Sequence, residues 1–206
     1  MQQVCLFRWA TVLVIWVVMV APSPGSAKEA DAGAFLIWLS REASKKLGNE
    51  QLTEVQKEDN FRQLFGDAFD LPAISRFVLG RYWRDASEAQ RQDFMTAFEE
   101  LQMRRFLPQF AKYDDKTIMV DSVQADAADP NIYKVSSRIS RPEGEPIAVV
   151  WRIRDSGESY KILDIVAEGV SMAISLRHEY AEVAKAKGID GLIKEMRDKS
   201  AQLAAE

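Results

Sequence analysis

The hydrophobic positions of this chain follow two different periods. Between residues 34 and 110, apolar side chains recur every three or four residues, as they do on one face of an α-helix. Between residues 117 and 167 they alternate with polar side chains, which is the pattern of half-buried β-strands. After residue 171 the helical period returns. This order predicts an α+β fold in which a four-stranded antiparallel sheet is covered on one face by about six helices.

Glycines predict the ends of the first two helices. Small residues over 28–33 predict a linker, and the first helix follows over 34–47 with Gly48 as its left-handed stop. The second helix covers residues 50–65, and Gly66 ends it.

Capping residues predict the third and fourth helices. Asp70 caps a short third helix, and Gly80 ends it. Ser87 and Gln90 have the spacing of a capping box, in which each side chain bonds to the backbone N–H of the other residue. Pro108 cannot donate a hydrogen bond to the carbonyl four residues earlier. We therefore expect a kink or a break of the fourth helix between residues 104 and 108.

The alternating region predicts four consecutive antiparallel strands joined by short turns. Turn residues over 141–145 predict the hairpin between the second and third strands, and residues 155–158 predict the next turn. Two helices, over 172–187 and 190–203, follow the sheet with Gly188 between them. The strands cover residues 117–125, 133–140, 147–154 and 160–167.

The N-terminal region has the pattern of a secretory signal peptide. Residues 10–20 form an apolar run broken only by Thr11, and Arg8 before it is the only charge in the first 27 residues. The run is too short to span a hydrocarbon core of ~30 Å. Small residues at Gly25 and Ala27 predict cleavage after Ala27, which leaves residues 28–206 as a single domain. An uncleaved membrane anchor is the alternative.

Composition and charge exclude several classes of protein. With 47% hydrophobic and 28% charged residues, the chain is neither disordered, collagen-like nor a polytopic membrane protein. Cys5 is the single cysteine and leaves with the leader, which excludes disulfides, thiol catalysis and thiolate metal sites from the remaining chain. The net charge of −4 argues against a nucleic-acid partner. The sequence indicates neither a cofactor nor a metal.

Candidate catalytic residues are few. His178 is the only histidine and lies in a charged helical segment, where a solvated position is the simplest interpretation. No metalloprotease, nucleophile-elbow or phosphate-loop motif occurs. Asp164 lies in an apolar strand, where burial can raise the pKa of a carboxyl group. Two interpretations remain: Asp164 caps or hydrogen-bonds a neighbouring loop, or it serves a small enzyme with a pocket in an α+β fold.

Aromatic residues are concentrated in the helical half of the chain. They include Phe61, Phe65, Phe94 and Phe98, and Trp151 faces the same side of the predicted sheet. Ordinary core packing explains most of them. A sheet covered by helices is also a natural place for an apolar pocket. The residues alone leave both explanations open.

Three segments together resemble the MlaC or toluene-tolerance family, the periplasmic lipid-binding component of the Mla phospholipid transport system. They are Val78–Arg84 with the helix that follows to Phe98, Ile165–Met172 with its Glu-Gly-Val-Ser sequence, and Lys187–Leu192. The resemblance covers about residues 35–203. Pro108 departs from the family pattern and puts the path of the long helix in doubt.

The resemblance implies a function and partners. It implies a soluble, monomeric periplasmic carrier that holds phospholipid tails in an apolar pocket between sheet and helices, without catalysing a reaction. It also implies exchange of lipid between an outer-membrane lipoprotein–porin complex and an inner-membrane ABC transporter with an MCE-type ring, which maintains outer-membrane lipid asymmetry. A hopanoid or another lipid is the alternative ligand.

Side-chain directions predict which residues carry these roles. Arg81 and Arg84 follow a helix end and either meet its dipole or contact a phosphate head group. The cations Lys134, Arg138, Arg152 and Arg154 lie on the other face of the sheet, which is either simply solvated or a docking surface for an acidic partner. The predicted pocket residues are Phe77, Phe94, Phe98, Leu101, Val135, Ile139, Val149, Trp151, Ile153, Val170 and Met172.

Overall fold

The computed structural model describes residues 24–49, 51–110, 118–141 and 144–205. The predicted apolar run of the signal peptide and Cys5 lie outside the described residues. The helices are α1 (Pro24–Leu47), α2 (Glu54–Ala68), α3 (Leu71–Leu79), α4 (Tyr82–Asp85), α5 (Glu88–Phe110) and α6 (Met172–Ala204). The strands are β1 (Ile118–Ala125), β2 (Ile132–Ile139), β3 (Ile147–Asp155), β4 (Tyr160–Ala167) and β5 (Val170–Ser171).

The start of α1 corrects the prediction of a linker. Residues 28–33 are helical, because lysine, glutamate and alanine in this stretch are good helix formers. Gly33 lies where α1 crosses β1, and a Cβ atom there would come 3.2 Å from Val123 Cγ2. The small residue therefore allows the close packing of helix on sheet. Gly48 does not adopt the predicted left-handed conformation, although the helix does end at Leu47.

The second helix begins further along the chain than predicted. Thr53 accepts a hydrogen bond from the N–H of Gln56, whose side chain accepts one from the N–H of Thr53. This capping box starts the helix at Glu54 rather than residue 50. Gly66 does not end the helix, which continues to Ala68.

The predicted caps of α3 and α5 are confirmed. Asp70 Oδ1 accepts from the N–H of Ala73 at 3.0 Å, and Gly80 ends α3 with a φ of 60°. Ser87 and Gln90 form the capping box of α5. Of the predicted kink or break near Pro108, the break is wrong, because α5 continues to Phe110. Pro108 lies in the last turn, where few helical hydrogen bonds follow it.

The sheet is an antiparallel meander in the order β1-β2-β3-β4-β5. The four predicted strands are present, and the two-residue β5 adds a short fifth strand beside β4. Irregularities in the register occur between Val120 and Ser122 and between Arg152 and Ile153. Gly188, with a φ of 71°, interrupts the helical backbone of α6 at the predicted position.

Two clusters of buried apolar side chains hold these layers together. The first joins α1 and α2 to the inner face of the sheet and includes Leu36, Phe65 and Ile153. The second joins α3, α5 and α6 and includes Phe94 and Leu192. Helices therefore cover one face of the sheet as predicted, and a gap remains where the two clusters meet.

Candidate functional site

A cavity of about 240 Å³ lies between the sheet and the helices. Its walls come from α1, α2, α3, α5 and the first two turns of α6, with the inner face of the sheet as the floor. Aliphatic and aromatic side chains form nearly all of its surface. Such a wall offers dispersion and water exclusion to a ligand rather than charge pairing.

Five of the predicted pocket residues line this cavity. Ile139, Val149 and Trp151 contribute from the sheet, Phe98 from α5, and Met172 from the start of α6. Val149 and Trp151 are 3% exposed, while Ile139 and Met172 are half-buried. The cavity is thus deep at its centre and opens towards the end of the sheet that carries Ile139.

Two predicted sheet residues lie away from the cavity. Val135 and Ile153 lie on the inner face of the sheet and are fully buried, but neither residue lines the cavity. Ile153 pairs with Tyr133 in the register, at the opposite end of the strands from the pair of Ile139 with Ile147. At that end, α1 and α2 pack directly on the sheet and leave no space.

The remaining predicted pocket residues also lie elsewhere. Phe94 and Leu101 belong to the cluster between α5 and α6, where the ring of Phe94 meets Tyr180 edge to face at 6.0 Å. Phe77 and Val170 are 40% and 61% exposed. Helical spacing puts Phe94 and Phe98 on one stripe, and Tyr180 contacts both rings, but only Phe98 lines the cavity.

The predicted pocket residues include none from α1 or α2, although both helices line the cavity. Both helices place a row of side chains in the cavity wall, and the helical spacing of these rows was the signal that could have revealed them. The row on α1 comprises Leu36, Leu39, Ser40 and Ala43, and the row on α2 comprises Phe61, Leu64, Phe65 and Ala68.

A buried hydrogen bond keeps the ring of Trp151 suitable for an apolar wall. Trp151 Nε1 donates to Ser137 Oγ at 2.9 Å, and Ser137 Oγ donates to the carbonyl of Val149 at 3.3 Å. All three residues are at most 3% exposed. The polar atom of the indole is therefore paired within the sheet, and the rest of the ring is apolar surface.

Asp164 is buried where β4 meets the start of α6. One carboxylate oxygen accepts from Ser171 Oγ at 2.6 Å, and the other accepts from the N–H of Ala173 at 2.9 Å. Ser171 in turn accepts from the N–H of Ile174. Both carboxylate oxygens thus hold the first turn of the helix, which is the geometry of the capping interpretation.

The Glu-Gly-Val-Ser segment is a tight joint between two walls of the cavity. Glu168 and Gly169 both have a positive φ, 49° and 82°, as the central residues of a two-residue hairpin loop require. Val170 and Ser171 then pair with β4 as β5, and α6 begins at Met172. This segment fixes the helix that carries Met172 against the sheet.

The two candidate head-group arginines do not reach the cavity lining. Arg81 is exposed and donates to Tyr82 Oη at 3.0 Å, and this hydrogen bond raises the pKa of its guanidinium. Arg84 is exposed at the end of α4. Arg177 instead lies over the exposed ring of Phe77, 4.9 Å from its centroid.

Aspartates neutralise most of the predicted docking cations. Lys134 pairs with Asp126 at 3.1 Å, and Arg138 binds both carboxylate oxygens of Asp121. The Arg138 hydrogen bonds lower the pKa of Asp121. A further ion pair joins Arg154 to Asp70, while Arg152 is half-buried and makes no ion pair with the described residues.

A closed ring of ion pairs joins α2 to α5, two walls of the cavity. Arg62 contacts Glu100 at 2.8 Å and Glu58 at 3.6 Å. Arg104 contacts the same two carboxylates, Glu58 at 2.9 Å and Glu100 at 3.0 Å. Partial burial alone would raise the pKa of Glu100, but the two arginines outweigh it and hold the pKa below its ordinary value.

Two kinds of feature are absent from the part of the chain that the structure describes. Within it, no group of three or more histidine, cysteine, aspartate or glutamate side chains is placed to hold a metal ion. None of the described helices is both long enough and apolar enough to cross a membrane. His178 is exposed.

The fold and the cavity define a class: α+β proteins in which helices and an antiparallel sheet enclose an apolar binding cavity. The chain belongs to the MlaC family, because the family profile described as "MlaC protein" matches residues 39–198. This match confirms the family resemblance that the three sequence segments indicated.

Two curated relatives and one solved structure are similar to this chain. The intermembrane phospholipid transport system binding protein MlaC of Haemophilus influenzae is 28% identical over 128 residues, which are 61% of this chain and 59% of the relative. Toluene tolerance protein ttg2D of Pseudomonas putida is 23% identical over 133 residues, 64% of this chain and 61% of the relative. The aligned region thus spans about three fifths of each of these relatives.

The solved structure is the phospholipid-binding protein of Ralstonia solanacearum in complex with a phospholipid. Its TM-score is 0.68 at 23% identity, and the match covers 88% of this chain and 99% of the other. At this identity the likeness establishes the fold. The same architecture therefore accommodates a phospholipid in another protein.

Proposed function

We propose that this protein is a phospholipid carrier whose cavity holds the acyl tails. The observation that carries the proposal is the apolar cavity between sheet and helices in a chain of the MlaC family. The names of its relatives, which refer to phospholipid transport and to phospholipid binding, support the choice of ligand. The hydrogen bonds that Asp164 accepts from Ser171 Oγ and the N–H of Ala173 support a structural role of this carboxylate at the start of α6.

The gradient of burial along the strands suggests how the lipid is oriented. At one end of β1, β2 and β3 the lining residues Ile118, Ile139 and Ile147 are half-buried, and at the centre Val149 and Trp151 are buried. We infer that the tails enter at the half-buried end and that the head group stays in water there. A cavity of about 240 Å³ lies below the ~300–1,000 Å³ typical of ligand pockets. Loading then requires the helices to move outward from the sheet.

The energetics of tail burial suit a carrier. Two tails contain on the order of 30 methylenes, and at ~0.8 kcal/mol each their removal from water contributes roughly 24 kcal/mol. A bilayer provides nearly the same amount. The difference between bilayer and carrier is therefore small, which allows the lipid to be loaded and released. Without a carrier, the lipid would have to pass through full exposure to water.

The compartment and the transport route belong to the same proposal. Cleavage after Ala27 would make Lys28 the first residue of a periplasmic protein formed by residues 28–206. Lys28 is held at the sheet, because its Nζ contacts Asp155 at 2.8 Å and its carbonyl accepts from Tyr160 Oη at 3.3 Å. The carrier would exchange lipid between an outer-membrane lipoprotein–porin complex and an inner-membrane MCE-type ABC transporter.

Neighbouring residues on opposite faces of β3 allow a matched test. Val149 lines the cavity, whereas Val150 is half-buried and does not. We expect Val149→Asp to lose phospholipid that co-purifies with the wild-type protein, because a carboxylate in the wall would meet the tails. Val150→Asp should keep it. Lipid extraction with mass spectrometry measures the bound lipid, and circular dichroism checks the fold.

A second variant distinguishes loss of the cavity from loss of folding. Ala43→Phe fills part of the cavity from α1 without burying a charge. Full lipid recovery from both Val149→Asp and Ala43→Phe would contradict the proposal. Loss of lipid from Val150→Asp alone would contradict the assignment of the cavity face.

A further inference from the structure

Gln102 is a buried polar residue in a mostly apolar wall. It lies on α5 and is 2% exposed. It lines the cavity together with Phe98 and Phe106, which are one turn away on either side. An amide in such a position needs hydrogen-bond partners for both of its polar atoms, since water is excluded from the wall.

Among the residues that the structure describes, only one end of this amide has a hydrogen-bond partner. Gln102 Nε2 donates to Tyr180 Oη at 3.1 Å. Burial raises the pKa of the Tyr180 hydroxyl far above its usual range, so this partner stays a neutral hydroxyl that can donate or accept. The amide can therefore turn either of its ends towards Tyr180 and present the other to the cavity.

The other end of the amide has no partner among the described residues. Their hydrogen bonds include none to Gln102 Oε1. Within the described ranges, the only fully enclosed side-chain oxygen or nitrogen without a partner is Ser75 Oγ, so Gln102 Oε1 is not sealed in the core. Because Gln102 lines the cavity, we infer that this oxygen is accessible from there. Ser40 on α1 likewise lines the cavity at 8% exposure, with no hydrogen bond from its hydroxyl to the described residues.

We propose that Gln102 binds an ester carbonyl of the lipid, with the amide N–H turned into the cavity and the amide oxygen accepting from Tyr180. This inference rests on the proposed carrier function and narrows its ligand to ester-linked acyl lipids. An ester carbonyl is an acceptor carried on the tails themselves, so it can follow them into the wall. A polycyclic hydrocarbon body offers no acceptor there and would leave the amide unpaired.

The test compares two lipids that differ only at the carbonyls. Wild-type protein is incubated with an equimolar mixture of dipalmitoyl phosphatidylglycerol and its dihexadecyl ether analogue, and native mass spectrometry measures the ratio of the two complexes. We expect the ester lipid to be preferred about three- to tenfold, the effect of one neutral hydrogen bond. Gln102→Leu should bind both lipids equally.

Control variants separate recognition from folding. Gln92→Leu makes the same substitution at an exposed position of α5, and it should keep the preference for the ester lipid. If Gln102→Leu does not fold because Tyr180 loses its partner, the double variant Gln102→Leu/Tyr180→Phe removes both polar groups together. Equal binding by the wild type, or an unchanged preference in the Gln102 variants, would overturn the inference. Failure of the wild type to bind either lipid would contradict the carrier function itself.

Discussion

Replacing Ser137 by alanine tests whether one buried hydrogen bond supports the floor of the cavity. The change removes the acceptor of Trp151 Nε1, which donates to Ser137 Oγ at 2.9 Å, and it adds no bulk. Trp151 is 3% exposed, so water cannot easily replace the lost partner. An unpaired buried N–H costs about 1–3 kcal/mol. This is a sizeable part of a typical unfolding free energy of ~5–15 kcal/mol.

A double-mutant cycle isolates this hydrogen bond from other effects. In the Trp151→Phe background, Ser137→Ala removes only the weaker bond from Ser137 Oγ to the carbonyl of Val149, 3.3 Å long. That loss should be about 0.5 kcal/mol. The coupling energy between Ser137 and Trp151 is then expected to be ~1–2 kcal/mol.

Urea unfolding followed by far-ultraviolet circular dichroism measures the free energies without relying on the fluorescence of Trp151. Ser136→Ala is the control, because this neighbouring serine is on the opposite face of β2 and is only half-buried. A Ser137→Ala variant within about 0.3 kcal/mol of the wild type, or a coupling energy near zero, would refute the reasoning.

Three further predictions concern the ring of ion pairs and the joint before α6. The pKa of Glu100 is lowered in the folded protein, so its contribution to stability is present above an unfolded pKa of about 4.3 and disappears as the pH falls through the folded value. Glu100→Gln should therefore flatten the loss of unfolding free energy between about pH 5 and 3, measured by urea unfolding at each pH. Gly169→Ala should lower the melting temperature, because alanine at a φ of 82° is destabilising by about 1 kcal/mol or more; an unchanged value would count against this turn. Asp164→Asn keeps only one of the two acceptor oxygens at the start of α6, so it should lose ~0.5–1.5 kcal/mol yet keep bound phospholipid, and loss of lipid from a folded variant would contradict a purely structural role.

Local patterns in the sequence predicted most of the fold. The alternating strands and the capping residues Asp70 and Ser87 act through neighbours within a few positions, so their effect is visible in the sequence. The errors arose where signals competed. At the start of α2, the Thr53 capping box begins the helix at Glu54 rather than at residue 50, and Gly66 was tolerated because packing of the helix continues on both sides of it.

The lining of the cavity was harder to predict, because it depends on contacts between distant segments. Phe94 and Phe98 share a helix face and both rings contact Tyr180 on α6 edge to face, yet only Phe98 lines the cavity. Val135 and Val149 share a sheet face, but only Val149 lies under the gap between the helices. Periodicity specifies the face of an element, whereas the position along it depends on the packing of other elements.

Ion pairs changed the interpretation of the polar face in the same way. The sequence shows a row of cations on β2 and β3, but the partners Asp121 and Asp126 come from β1 and the turn after it. Arg154 is paired with Asp70, which is far away in the sequence. Neutralisation across strands leaves a weaker positive surface than the row of cations alone suggested.

Native mass spectrometry of the protein purified from the periplasm of its own host tests the central claim most directly. We expect a complex that is heavier than the protein by the mass of one intact phospholipid. Collisional activation should release this lipid from the complex. We also expect the protein to have the mass of a polypeptide that begins at Lys28. Protein that carries no lipid in a gentle preparation, or carries a ligand without acyl esters, would contradict the central claim.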